Sequence, residues 1–84
     1  MVRGKGALYF IDVSTDVCPL TFVRVKLLLE SMPSGEACEI RLKAGEALRN
    51  VPRSAREHGH EVVSIAAEDP ADPAGPHRIV IRKS

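Results

Sequence analysis

From Ala37 to Lys43 the chain alternates without interruption: Cys38, Ile40 and Leu42 are apolar, while Glu39, Arg41 and Lys43 are charged. A two-residue period marks a strand with one buried and one wet face, so the fold must contain a sheet that is covered on one side. Helices have to supply that cover, and the sequence offers two. From Leu20 to Met32 the pattern is helical, with Phe22, Val25, Leu29 and Met32 forming a core stripe before Pro33-Ser34-Gly35 stops the helix. A second helix is expected with Asn50 as its N-cap and Pro52 in its first turn; Leu48, Val51 and Ala55 are its apolar positions, and Gly59 is its left-handed C-cap.

Three further segments read as strands. Ala7 to Val13 is apolar on both faces apart from Asp12, as expected of a strand well inside a sheet. Val62 to Ala66 and Arg78 to Arg82 are joined by a loop whose prolines and glycine exclude either element. The order is therefore β-α-β-α-β-β. Two helices cannot cover both faces of four strands, and the charges at Glu39, Arg41, Arg78 and Arg82 belong on an open face, so the fold class is α/β (α+β), a two-layer sandwich. With 84 residues, positions 1–84 are expected to form a single domain. Only three aromatics are present, leaving the core to Leu, Val, Ile and Ala.

A formal charge of +1 gives no general pull toward nucleic acid or anionic membrane. The apolar run Ala7 to Ile11 is too short for a signal-peptide core or a membrane span. Two cysteines twenty positions apart fit neither a C-x-x-C redox pair nor a four-ligand zinc site. No phosphate loop, Ser-His-Asp set or metal-spaced cluster appears, and no cofactor is expected. These features favour a reducing cytoplasm, and a monomer over an oligomer.

Cys18-Pro19 stands where the first strand gives way to the first helix. The unsatisfied N–H groups and positive dipole end of a helix stabilise thiolate over thiol, which makes Cys18 a candidate reactive sulfur. Pro19 suits the first helical position, where its missing N–H is no loss. The run Asp12-Val13-Ser14-Thr15-Asp16-Val17-Cys18-Pro19-Leu20-Thr21 resembles the signature of the TusA/SirA-like sulfur-carrier family, in which an Asp precedes a Cys-Pro-x-Pro element opening the first helix. A second block agrees: Leu48-Arg49-Asn50-Val51-Pro52 is similar to the family's Arg-Asp-Ile-Pro stretch, and Gly59-His60-Glu61 to its Gly-His-Glu element. Two places depart from the pattern. Thr21 replaces the second proline, and Lys43-Ala44-Gly45-Glu46 replaces an Asp-Asp-Pro turn. The resemblance implies a mixed four-stranded sheet with both helices on one face.

The resemblance also implies that Cys18 accepts sulfane sulfur as a persulfide from a donor such as a cysteine desulfurase, a rhodanese or thiosulfate, and relays it to an acceptor protein. Around Cys18, Asp12 is expected to organise the preceding turn through an Asx-type bond rather than to transfer protons, since a nearby carboxylate raises a thiol pKa. Thr21 restores a backbone N–H that either faces the sulfur or has no consequence. If the first three strands are parallel, Arg49 and Arg53 lie at the Cys18 end of the sheet and His58 and His60 at the other. Leu20, Val23 and Leu27 form a second apolar stripe on the first helix, either packed against the second helix, the favoured reading, or exposed as a docking rim. Cys38 is expected to be a small buried hydrophobe. Two other functions stay open: a thiosulfate-processing enzyme coupled to a membrane transporter, and a non-catalytic binding module using Arg41, Lys43, Arg78 and Arg82 on the open sheet face.

Overall fold

The computed structural model describes residues 8–15 and 20–84. They form β1 (Leu8–Asp12), α1 (Leu20–Ser31), β2 (Ala37–Lys43), α2 (Glu46–Glu57), β3 (Glu61–Ala67) and β4 (Pro76–Arg82), in the expected β-α-β-α-β-β order. The sheet order is β1-β2-β4-β3. β1 runs parallel to β2, while β4 is antiparallel to both β2 and β3, so the first three strands share one direction.

One expectation fails here. β1 is an edge strand, not an interior one, because β4 inserts between β2 and β3 and makes β2 and β4 the central pair. Its apolar residues are accordingly only partly covered: Tyr9 and Phe10 are exposed. The ladder continues past the strand through a 2.8 Å bond from the Val13 N–H to the Arg41 carbonyl, and Val13 itself is buried.

Strand alternation sorts the side chains as the sequence requires. Cys38, Ile40 and Leu42 of β2 join Ile79 and Ile81 of β4 on one face, and Val25 and Leu29 of α1, Met32 just past its end, and Val51 and Ala55 of α2 close over them. All five sheet residues of this cluster are fully buried. Both helices therefore cover the same face, and the other face stays open to water. At about 25 cal/mol per Å² of apolar surface removed from water, this single interface is the main source of stability.

α2 starts at Glu46, a turn earlier than expected, with Gly45 at its N-cap in a left-handed conformation (φ 119°). Glu46, Ala47, Leu48 and Arg49 are strong helix formers, and the acidic Glu46 suits the positive N-terminal dipole. Asn50 is thus not a cap. Its Oδ1 accepts a 2.8 Å bond from Arg53 Nη2 on the helix surface instead. Pro52 falls inside the helix, where it withholds the N–H that Leu48's carbonyl would accept, and is itself buried. The C-terminal end matches the sequence reading: Gly59 (φ 85°) donates to Arg56 O and His60 to Ala55 O, the paired bonds of a Schellman cap. α1 ends differently. Lys83 Nζ reaches across from the chain end to the Met32 carbonyl at 2.8 Å and the Glu30 carbonyl at 3.3 Å, placing a cation against the helix's negative end.

Candidate functional site

Cys18 and Pro19 lie outside the described residues, as do Asp16 and Val17. Described residues flank this segment on both sides. Upstream, Asp12 Oδ1 accepts bonds from the Ser14 N–H (2.9 Å) and the Ser14 hydroxyl (2.7 Å), the Asx-type turn expected from the sequence. Downstream, Thr21 sits in the first turn of α1 with only 3 % of its surface exposed. A proline at Thr21 would have no such hydroxyl to place in this inward-facing position.

The Asp12 turn is tied to the open sheet face. Arg41 lies directly beside Asp12 in the parallel β1–β2 register, and its Nη1 donates to Asp12 Oδ2 at 3.2 Å and to the Ser14 hydroxyl at 2.9 Å. The rest of the same guanidinium forms a two-pronged pair with Glu68, just past β3: Nε to Oε2 at 2.9 Å and Nη2 to Oε1 at 3.1 Å. Glu68 also takes Arg78 Nε and Nη2 at 3.0 and 2.8 Å, and Arg78 bonds Glu39 at 3.1 Å. The Arg78 guanidinium carbon stands 5.3 Å from the Phe10 ring centroid, within cation–π range. The connected series is therefore Asp12, Arg41, Glu68, Arg78 and Glu39, drawn from four segments of the chain.

These contacts set the local titration. The Ser14 hydroxyl and N–H, and then Arg41, hold the Asp12 carboxyl below its ordinary value. Bonds from Arg41 and then Arg78 pull the Glu68 carboxyl down to about 2. Each of Arg41, Arg78 and Arg82 on the open face engages a carboxylate, Arg82 through Glu61 at 3.1 Å.

Because β1, β2 and β3 share a direction, the chain leaving β1, the start of α2 and the Glu68 loop lie at one end of the sheet. Arg49 is exposed in the first turn of α2 at that end, but because the helix starts at Glu46 rather than Asn50, Arg53 falls past the helix midpoint instead of at its start; His58 and His60 follow α2 at the other end. The second stripe of α1 does not pack against α2: Leu20, Val23 and Leu27 are 49, 43 and 59 % exposed. The stripe lies on the flank of α1 turned away from its neighbours, while Val25 and Leu29 face the sheet. Cys38 is fully buried, and desolvation pushes its thiol up to about 11. The role of Glu68, and the bond from Arg41 to Asp12, escaped the sequence reading; Arg41 carried a signal only as a charge of the same parity as the open face.

Among the described residues, no group of His, Cys, Asp and Glu is arranged to hold a metal ion, and no helix is long and apolar enough to cross a membrane.

Comparison with known proteins matches residues 9–83 to the family described as Sulfurtransferase TusA. A candidate sulfur carrier protein of Archaeoglobus fulgidus is 46 % identical over 55 residues, which cover 66 % of this chain and 62 % of the relative, so the match spans less than two thirds of that protein. A candidate sulfur carrier of Methanocaldococcus jannaschii is 35 % identical over 77 residues, covering 92 % of this chain and 96 % of the relative. One from Thermotoga maritima is 31 % identical over 62 residues, 74 % of this chain and 78 % of its own length. With its β-α-β-α-β-β order and a match over nearly its full length, the chain belongs to the TusA sulfurtransferase family.

Proposed function

We propose that this protein carries sulfur as a persulfide on Cys18, taking it from a donor protein and passing it to an acceptor protein. The observation that carries this reading is the burial of Cys38: of the chain's two cysteines, one is fully shielded with its thiol raised to about 11, which leaves Cys18 to do thiolate chemistry near neutral pH. In loading, the Cys18 thiolate attacks the outer sulfur of a donor persulfide. The new Sγ–S bond forms as the donor's S–S bond breaks, the electron pair leaves on the donor thiolate, and the proton stays with the transferred sulfur. Delivery is the same exchange with an acceptor thiolate as nucleophile and Cys18 as leaving group. No oxidant or reductant is consumed.

Donor and acceptor must both reach the same sulfur, so each docks at the Cys18 end. The exposed Leu20, Val23 and Leu27 supply apolar contact there, and Arg49 and Arg53 favour an acidic partner surface. A cysteine desulfurase or a rhodanese in the cytoplasm is a donor of the right chemistry. The binding-module reading has less support, because Arg41, Arg78 and Arg82 are already engaged by carboxylates of the same chain.

The test is incubation with a sulfane-sulfur donor followed by intact-mass and peptide analysis. One added sulfur is expected at Cys18 in the wild type and in Cys38→Ser, and none in Cys18→Ser. Loading at Cys38, or biological activity persisting in Cys18→Ser, would overturn the assignment.

A further inference from the structure

The apolar faces of α1 and α2 meet over the sheet without closing completely. Between them lies a cavity of about 90 Å³, lined entirely by described residues. Val25, Leu29, Val51 and Ala55 form its buried floor, with Phe22 half-buried beside them, while Lys26, Glu30 and His58 stand exposed around its mouth. The space is therefore apolar at its base and open to water above. It is somewhat smaller than the roughly 150 Å³ apolar cavity that takes a benzene ring, which suits a short alkyl chain. It extends toward the C-terminal end of α2, where His58 and His60 stand.

The mouth has a charge bias. Lys26 and Lys83 stand against one acid, Glu30, and the His58 and His60 imidazoles add to the basic side. Lys83 Nζ gives bonds to the Glu30 and Met32 carbonyls at 3.3 and 2.8 Å, which leaves one of its three donors for a ligand. His60 Nδ1 accepts the Ser84 N–H at 3.3 Å, so the proton of its neutral form sits on Nε2 as a donor. Burial, and then the neighbouring Lys83 and His58, hold His60 below the ordinary imidazole value. We propose that this cavity binds a small amphiphilic anion, with its alkyl or aryl tail on Val25, Leu29, Val51 and Ala55 and its anionic group among Lys26, Lys83 and His60. An apolar base under a cationic mouth favours such a ligand over a neutral or cationic one of the same length. A tail seated there touches both helices at once, so binding stabilises their packed arrangement over the unfolded chain. The site uses neither Cys18 nor the open sheet face, and it stands whether or not the protein carries sulfur.

The experiment is an amide NMR titration of the full chain at neutral pH with hexanesulfonate, which stays ionised throughout, and with hexanol and hexylammonium as tails of equal length without charge and with the opposite charge. Hexanesulfonate is expected to bind with a Kd of about 1 mM and to move the amides of Val25, Leu29, Val51, Ala55, His58 and His60 together. Hexanol should bind about fivefold more weakly, and hexylammonium more weakly still. Lys26→Glu should weaken hexanesulfonate by about fivefold and narrow its advantage over hexanol. Arg56→Glu, the same charge change on α2 outside the cavity, should leave its Kd within about twofold. Ser54→Phe, which plugs the mouth, should abolish binding of all three. Because an anion favours protonated His60, saturation should raise the His60 midpoint, and binding should tighten as pH falls through it. Hexanol binding as tightly as hexanesulfonate, amide shifts centred on Leu20, Val23 and Leu27 instead, or no saturable shift up to about 20 mM ligand would each overturn the proposal. If Ser54→Phe does not fold, the three-ligand series and Lys26→Glu decide the question on a folded chain.

Discussion

Leu27 and Leu29 are the same residue type two positions apart on one helix, yet they are 59 and 5 % exposed. Truncating each to alanine separates what α1 does for the fold from what it offers to a partner. Leu29 packs in the cluster that joins both helices to Cys38, Ile40 and Ile81. Leu29→Ala removes its transfer free energy and leaves a cavity between a helix and a sheet that cannot close without moving backbone, a loss of about 3 kcal/mol within the usual range of roughly 2–5. For a chain of this size, at about 4–8 °C per kcal/mol, that lowers Tm by roughly 12–24 °C. Leu27→Ala forfeits only the covered minority of its side chain and gains slightly in helix propensity, so its cost should stay under about 1 kcal/mol. Urea unfolding measures both: the midpoint should fall sharply for Leu29→Ala and barely for Leu27→Ala, with the slope unchanged in each. Sulfur transfer to a partner protein should show the opposite ranking, slowed by Leu27→Ala while its reaction with iodoacetamide keeps the wild-type rate. If Leu27→Ala destabilises as much as Leu29→Ala, the stripe is packed after all, and the docking surface reasoned from its exposure does not exist.

Cys38 adds a pH dependence of its own. Its folded thiol, raised to about 11, stays neutral after the unfolded thiol has ionised, so the unfolded state loses the proton first. The stabilisation is complete below about pH 9 and is lost as pH rises through 11, a fall of order 2 kcal/mol that should disappear in Cys38→Ala. Glu68 provides the acid counterpart: a carboxyl-detected NMR titration should find its midpoint near 2, with its contribution present above the ordinary glutamate value and lost as pH falls through about 2. A midpoint at the ordinary value would mean that the Arg41 and Arg78 pairs do not persist in solution. Reversing both charges at Arg49 and Arg53 should slow transfer to a protein partner several-fold and spare small-molecule alkylation; equal slowing of both reactions would point to the thiol instead.

Local pattern was enough for much of this. The alternation of Cys38 to Lys43 dictates which side of β2 is dry, because successive side chains on a strand have no choice but to face opposite ways. Val25, Leu29 and Met32 had to share a helix face for the same kind of reason, and Gly59 could be read as a cap because a left-handed residue is needed there and glycine alone adopts it without strain. The cap-and-proline pattern misled at the start of α2. Asn50-Val51-Pro52 has the look of a helix beginning, yet Glu46 to Arg49 continue the helix upstream, and burial of Pro52 offsets part of what its missing bond costs.

What the sequence by itself determined is the element order, the dry and wet faces, the shielding of Cys38 and the resemblance that singles out Cys18. Only the tertiary structure decided that β1 is an edge strand, that Leu20, Val23 and Leu27 face outward, and that Asp12, Arg41, Glu68, Arg78 and Glu39 form one ionic series. The physical reason is common to all three. Periodicity reports the face of a residue within its own element, a property of the local backbone. Which strand becomes a neighbour, how far one helix lies from another, and which register sets Arg41 beside Asp12 on one side and Arg78 on the other are properties of non-local pairing, fixed only when β4 inserts beside β2.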